Sequence, residues 1–144
     1  LAEKEKIKSL VDANDPRFLA PASMAREVQM ACEEKGQEVP QGIGQLASVI
    51  YNSLAVCYGR TIQELEAVNG VFYERIHVVG GGANADYLNQ LTARATGREV
   101  LAGPTEATAI GNILAQMIAA GQVEDLQAGR KLIRDSFEIR SYQP

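Results

Sequence analysis

Three consecutive glycines, the run Gly80 to Gly82, separate a β-rich segment from a helical one, and this break constrains the fold more than any other feature of the sequence. The residues before it, Arg75 to Val79, form a short run rich in β-branched side chains. Asn84 can cap the helix that follows, from about Ala85 to Thr96. Open α/β sheets bind ligands at the carboxyl ends of strands, and glycine lets a flat or anionic ligand approach the backbone. The glycine run is therefore a candidate ligand-facing turn.

The pattern after residue 70 alternates strand and helix. Beyond Gly97 the sequence predicts a strand, two helices and an extended tail, over Arg98 to Ala102, Gly103-Pro104 to Ala120, about Glu124 to Asp135, and Phe137 to Tyr142. Two strands joined through a helix are expected to be parallel, with a right-handed crossover. We therefore predict an α/β fold, helix-rich with two parallel strands, in which residues 71–144 form a β-α-β-α-α part.

Residues 1–70 carry helical patterns only and are assigned to a helical part. The longest pattern, from about Ile43 to Val68, has apolar residues every three or four positions and stops at Asn69-Gly70. Its length predicts a central helix that packs against more than one neighbour. Two shorter helices are predicted before it, an amphipathic one over Leu1 to about Val11 and one that Pro21 and Ser23 open and Gly36 ends.

The number of predicted strands is too small for an independent sheet. Two strands do not make a stable sheet, and parallel strands normally lie buried between layers. Either further strands lie outside this sequence, or the tail pairs with these two. The chain also begins at Leu1, directly in a charged helical pattern. We therefore expect it to be part of a longer protein.

Two common phosphate-binding motifs do not fit the glycine run. A dinucleotide fingerprint, G-x-G-x-x-G with an acid at the end of the next strand, needs a third glycine where Ala83, Asn84 and Ala85 stand. Glu99 lies at the start of the next strand rather than at its end. The phosphate loop G-x-x-x-x-G-K-[ST] is absent as well. A tight strand-to-helix turn that binds nothing remains the alternative to a ligand-facing turn.

A stripe of small side chains marks the helix after the second strand. Ala107, Gly111 and Ala115 lie four residues apart, and a glycine inside a helix costs about 1 kcal/mol against alanine. Close approach of this helix to a flat ligand or to another backbone would offset that cost. Tight packing on the sheet and a ligand-facing role both remain open, and the two are compatible.

Charge and composition exclude several classes of function. The net charge is −4 with scattered basic residues, so no nucleic-acid partner is expected. No apolar run approaches the roughly 18 residues that cross a bilayer, so no membrane partner is expected either. Cys32 and Cys57 form no metal spacing and suit a reducing cytosol. His77, the only histidine, sits in an apolar strand and is expected to be packed. No metal-binding or catalytic residue stands out.

Several segments resemble one known family. They are Ile76 to Gly82, Leu88 to Leu91, Ala102 to Pro104, Glu106-Ala107, Gly111-Asn112 and, earlier, Asn14 to Phe18 with Leu19 and Pro21. Together they resemble the FGGY carbohydrate kinases, and within that family the rhamnulokinases. The resemblance covers nearly the whole chain, from about Asn14 to the tail. Because many members share the glycine run, the sugar is inferred from the overall similarity.

The resemblance implies an actin-like fold of two ribonuclease-H-like domains, with Mg-ATP in the cleft between them. Residues 1–144 would be part of the C-terminal, nucleotide-binding domain of a cytoplasmic enzyme. Its partners would be the missing N-terminal domain, ATP and a sugar. The implied reaction converts L-rhamnulose to L-rhamnulose 1-phosphate, with the catalytic base upstream of this chain. The implied ATP-binding residues are Gly80, Gly81, Gly82, Asn84 and Gly111.

Other interpretations remain open. A kinase for fuculose, xylulose or glycerol would look related in this region. A non-catalytic actin-like protein would also bind its nucleotide beside such a turn, and a helical module with a tight glycine turn would bind none. The segments before the glycine run favour a kinase, because an actin-type chain has no reason to share them. The chain by itself is expected to lack kinase activity and to bind nucleotide weakly, since half of the cleft is missing.

Overall fold

The computed structural model describes all of residues 1–144, which form five α-helices and three short strands. In chain order these are α1 (Met24–Glu34), α2 (Ile43–Asn69), β1 (Arg75–Val78), α3 (Asp86–Thr96), β2 (Glu99–Ala102), α4 (Ala107–Ala119), α5 (Leu126–Ser136) and β3 (Arg140–Tyr142). Three short 3₁₀ turns add Ala2–Lys4, Pro16–Phe18 and Gly80–Asn84. All three strands follow residue 70.

The sheet has the order β1-β2-β3. β1 and β2 are parallel, with Ile76 opposite Val100 and Val78 opposite Ala102, as predicted from their connection through a helix. The tail supplies the third strand, because β3 pairs antiparallel with β2. The two alternatives for the missing pairing partner thus resolve in part, since the tail covers one edge of the parallel pair and the outer edge of β1 has no strand beside it.

The long helix α2 confirms the prediction of a central helix with several neighbours. It packs against α1, α3 and the N-terminal turn. Gly59 faces α3, since a Cβ at this position would make an ordinary contact at 3.5 Å with the carbonyl oxygen of Ala95. The rings of Tyr51 and Tyr87 are 6.0 Å apart between centroids. Gly70, with φ of 64°, ends the helix in the left-handed conformation that glycine adopts without strain.

The amphipathic helix predicted over Leu1 to Val11 is not formed. After the turn Ala2–Lys4 the chain is extended, because its polar groups bond to other elements instead of to each other. The Leu10 amide donates to the Gln37 side chain at 2.8 Å, and the Val11 amide donates to Ser53 Oγ at 3.0 Å. A helix this short is marginal alone, so the tertiary bonds decide the conformation.

The core lies between the N-terminal segment, α1 and α2. Ile7, Val28, Cys32 and Val49 form its buried centre. Far less is buried at the other end, where α4 and α5 together contribute only Leu114 and Gly129 to the buried set. No helix combines the length and the apolar character that crossing a membrane requires.

Candidate functional site

The glycine run lies where the sequence predicted it, at the carboxyl end of β1, and forms the 3₁₀ turn Gly80–Asn84. Two backbone hydrogen bonds fix this turn to the loop after β2. The Gly80 amide donates to the Pro104 carbonyl at 3.2 Å, and the Gly103 amide donates to the Val78 carbonyl at 2.9 Å. The end of β1 and the start of the segment that leads to α4 are therefore held side by side.

The three glycines differ in what the fold requires of them. Gly80 has φ of 72°, a left-handed conformation in which an L side chain is strained. A Cβ at Gly82 would lie 3.3 Å from Val78 Cγ1, which is a tight contact. Gly81 has neither restriction, since its φ is not left-handed and an added Cβ meets nothing within 4 Å. Gly81 is exposed, so its bare backbone is accessible from solvent.

Asn84 does not cap α3, contrary to the prediction. Ala85 occupies the N-cap position and makes no side-chain capping bond. The Asn84 side chain instead faces the loop after β2 and the tail, because its Oδ1 accepts from Thr105 Oγ1 at 3.4 Å and from Arg140 Nη2 at 3.3 Å. Asn84 thus joins three segments of the site rather than one helix end.

A cavity of about 250 Å³ opens beside the turn. Its wall combines apolar residues, including Ile110 and Phe137, with five polar or charged ones, which are Asn84, Thr105, Glu106, Glu138 and Arg140. A concave, partly apolar surface with a few converging polar groups is the usual form of a small-molecule site. The cavity and the exposed turn together form one candidate surface.

Helix α4 begins later than predicted. Pro104 was expected in its first turn, but the helix starts at Ala107, because the Gly103 amide and the Pro104 carbonyl are engaged with β1 and the glycine turn. Gly111 lies inside α4 and is exposed, and an added Cβ would meet nothing within 4 Å. Tight packing therefore does not explain this glycine. Its neighbour Ile110 lines the cavity, whereas no hydrogen bond joins Gly111 to the glycine turn.

The sequence analysis missed the contribution of the tail. Arg140 Nη2 donates to the Ala83 carbonyl at 2.7 Å, and both Arg140 Nη1 and the Tyr142 hydroxyl bond to the Asp86 carboxylate. Burial, and next the hydrogen bond to Asp86, raise the pKa of Tyr142 above its usual value, so the hydroxyl remains the donor. No local signal announces these contacts, because more than fifty residues separate the partners.

Glu106 and Glu138 line the cavity beside the turn, whereas His77, the only histidine, does not. His77 was expected to be packed, but it is exposed, since its position in β1 points it away from the side that α3 covers. No group of three or more His, Cys, Asp or Glu side chains is arranged to hold a metal ion.

Comparison with known proteins agrees with these features. Residues 2–120 match the C-terminal domain of the FGGY family of carbohydrate kinases. The chain is 45% identical over 140 residues to the rhamnulokinase of Bacillus subtilis (strain 168), covering 97% of this chain and 29% of that protein. It is 47% identical over 148 residues to the rhamnulokinase of Enterococcus faecalis (strain ATCC 700802 / V583), covering 99% of this chain and 30% of that protein.

These figures define how much of a kinase the chain represents. It spans less than a third of the length of the curated relatives that it matches. Its helix-rich architecture, with a small mixed sheet that includes a parallel pair, agrees with a ribonuclease-H-like, actin-like fold. The chain belongs to the FGGY family of carbohydrate kinases, and the part of the family that it matches is the C-terminal domain.

Proposed function

We propose that this chain forms the adenosine-binding side of the ATP site in a rhamnulokinase, an enzyme that converts L-rhamnulose to L-rhamnulose 1-phosphate. Gly81 is the observation that carries the proposal. It is exposed at the carboxyl end of β1, and nothing within the chain requires it to be glycine. A ligand that lies flat on the bare backbone would explain why this position is glycine, because any side chain would stand in its way.

The proposed ATP-binding residues are Gly80, Gly81, Gly82, Asn84 and Gly111. Gly80 shapes the turn, Gly82 allows it to pack on Val78, and Gly81 presents the open backbone. Gly111 presents a second open stretch of backbone on α4, one residue from the cavity wall. Asn84 holds the two parts together through Thr105.

The catalytic part of the reaction belongs outside residues 1–144. Phosphoryl transfer depends on positioning and on neutralising phosphate charge, and it needs a base that accepts the proton of the sugar hydroxyl. Glu106 and Glu138 line the cavity beside the turn, but the resemblance to the family places the base upstream of this chain, and we assign the role to neither. We place the base, the sugar contacts and the ligands of magnesium in the remainder of the kinase, where a bound Mg²⁺ would neutralise phosphate charge.

The proposal is tested with what we call the joined kinase, in which residues 1–144 replace the matched region of the Bacillus subtilis rhamnulokinase. The joined kinase should phosphorylate L-rhamnulose with ATP, and residues 1–144 alone should not. Isothermal titration should give weak ATP binding or none for residues 1–144 alone. Sugar turnover or micromolar ATP affinity by the isolated chain would contradict the proposal that residues 1–144 form only one side of the ATP site.

Sugar specificity needs a separate readout. L-Fuculose, D-xylulose and glycerol are offered to the joined kinase beside L-rhamnulose. Because the sugar contacts are placed outside this chain, the joined kinase should retain the preference of the Bacillus subtilis protein. A change of preference would assign part of the sugar site to residues 1–144.

A further inference from the structure

The tail of the chain contacts the proposed nucleotide turn directly, although it lies beyond the region that matches the family domain. That region ends at residue 120, and β3 begins at Arg140. β3 lies antiparallel to β2, which places Arg140 beside Ala102 and the carboxyl end of the parallel pair. The side chain of Arg140 also lines the cavity next to the turn.

The guanidinium of Arg140 connects three acceptors, two at the end of the glycine turn and one at the start of α3. Nη2 donates to the Ala83 carbonyl at 2.7 Å and to Asn84 Oδ1 at 3.3 Å, while Nη1 donates to the Asp86 carboxylate. Arginine is suited to this geometry because its donors form a planar fork. The contacts span the last residues of the 3₁₀ turn and the first residue of α3.

A turn that begins with three glycines needs such a restraint. Glycine loses more conformational freedom on folding than any other residue, so this turn is costly to hold in one shape. On its inner side, the Asn89 side chain donates to the Gly82 carbonyl at 3.2 Å. Arg140 supplies the charged hydrogen bonds on its outer side, and such bonds are stronger than neutral ones.

Arg140 is itself held in place. The Asp86 carboxylate accepts from both Arg140 and the Tyr142 hydroxyl, so two residues of the same strand converge on one acceptor. Within and just after β3, Ser141 Oγ donates to Glu99 Oε1 at 2.8 Å and Gln90 Nε2 donates to the Gln143 carbonyl at 2.7 Å. The tail is therefore anchored independently of the turn.

We propose that Arg140 is a positioning residue of the nucleotide site, which fixes the glycine turn in the shape that binds ATP. This inference rests on the proposed function of the turn. It assigns to the C-terminal strand a role in ATP affinity, exerted through the backbone of Ala83 and the side chain of Asn84 and not by contact with the phosphates.

The test compares Arg140→Met, Arg140→Lys and Asp86→Asn in the joined kinase. Arg140→Met should raise KM for ATP about tenfold, the size expected for loss of charged hydrogen bonds, while KM for the sugar and kcat stay near their original values. Arg140→Lys should resemble Arg140→Met, because an ammonium group cannot reach the three acceptors together. Asp86→Asn should raise KM for ATP in the same direction, since it releases Arg140.

The control is Arg94→Met, which removes an exposed arginine of α3 that has no hydrogen-bond partner and should leave all three parameters unchanged. Restoration of ATP affinity by lysine, or tighter ATP binding by Asp86→Asn, would assign Arg140 to direct charge contact and overturn the proposal. A fall in kcat together with equal rises in the KM for ATP and the KM for the sugar would show that Arg140 only stabilises the fold, and would also overturn the proposal.

A second readout separates this inference from the proposed function. Amide hydrogen exchange of residues 80–84 should be faster in Arg140→Met than in the unmodified protein, whether or not the protein uses ATP. Unchanged exchange in an enzyme that does use ATP refutes the positioning role alone. Faster exchange in a protein that does not use ATP supports the positioning of the turn by Arg140 and refutes the assignment of the turn to a nucleotide.

Discussion

Gly81 offers the clearest separation of stability from binding at the scale of single residues. Gly81→Ala adds a methyl group that meets nothing within 4 Å and needs no left-handed φ. Its free energy of unfolding should be unchanged or higher by up to about 1 kcal/mol, because alanine restricts the unfolded chain. KM for ATP of the joined kinase should rise, because the methyl group occupies the proposed surface.

Gly80→Ala is the matched comparison, since it tests the shape of the same turn. The φ of 72° at this position strains an L residue, so Gly80→Ala should lose about 1–2 kcal/mol of unfolding free energy. Urea unfolding measures both variants. Equal destabilisation by Gly81→Ala and Gly80→Ala would show that the fold, and not a ligand, requires Gly81.

Two helical glycines give a second contrast. Gly111→Ala should stabilise α4 by about 0.5–1 kcal/mol, because the position is open and alanine is the better helix former. Gly129→Ala should destabilise by about 1–3 kcal/mol, because its Cβ would lie 2.5 Å from Leu114 Cδ1 and force α4 and α5 apart. Thermal unfolding measures both changes. If Gly111 also faces adenosine, the stabilised variant will bind ATP more weakly.

Local signals predicted the glycines that end helices. Gly70, Gly97 and Gly121 all adopt left-handed φ values of 64–71°, as expected of residues that follow a helical pattern. Asn84 and Arg140 could not be predicted in the same way. A residue before a helix is a capping candidate by sequence alone, and only the position of a strand 56 residues later shows that Asn84 bonds elsewhere.

At the scale of elements, an ion pair joins α2 to the residue that precedes β2. Arg98, just before β2, donates to both carboxylate oxygens of Glu66 at 2.8 and 3.0 Å, and its guanidinium lies 4.2 Å from the Phe72 ring centre. The side chains of Arg98 and Glu66 are only 13% and 17% exposed, respectively. The hydrogen bond from Arg98, and next that from the Tyr73 amide, lower the pKa of Glu66 below its ordinary value of 4.5.

A pH dependence follows from this shift. Because the folded-state pKa of Glu66 lies below the unfolded value, its contribution to stability is complete above about pH 4.5 and is lost as the pH falls through the folded value. Glu66→Gln should therefore lower the free energy of unfolding more at neutral pH than in acid. Urea unfolding at several pH values measures the difference. Glu64→Gln, at an exposed position of α2, is the control and should leave the acid sensitivity of the chain unchanged.

Element prediction was reliable where the pattern was long or the boundary was local. The 27 residues of α2 and the parallel pairing of β1 with β2 follow from periodicity and from connection rules. The N-terminal segment failed because Gln37 and Ser53 satisfy its amides from a distance. The start of α4 failed because the carbonyl of Pro104 is already bonded to Gly80.

The outer edge of β1 is the clearest feature at the scale of the whole molecule. A parallel strand is normally flanked on both sides and covered by helices, yet β1 pairs with β2 only. Because the relatives are more than three times as long as the matched part, we expect the remainder of the kinase to cover this edge. Amide exchange at residues 75–78 should then be slower in the joined kinase than in residues 1–144 alone. Equal exchange rates would place the remainder elsewhere, and residues 99–102, which pair on both sides, serve as the internal reference.

The late position of β3 in the chain also has a consequence during synthesis. The ribosome synthesises α1 through α5 before it adds Arg140 and Tyr142, so the glycine turn receives its bonds from the tail last. A product that stops shortly before residue 140 would keep every helix and yet lack the contact that closes the turn. Such a product would escape detection by helix content and would be recognised by its sensitivity to proteases at the turn.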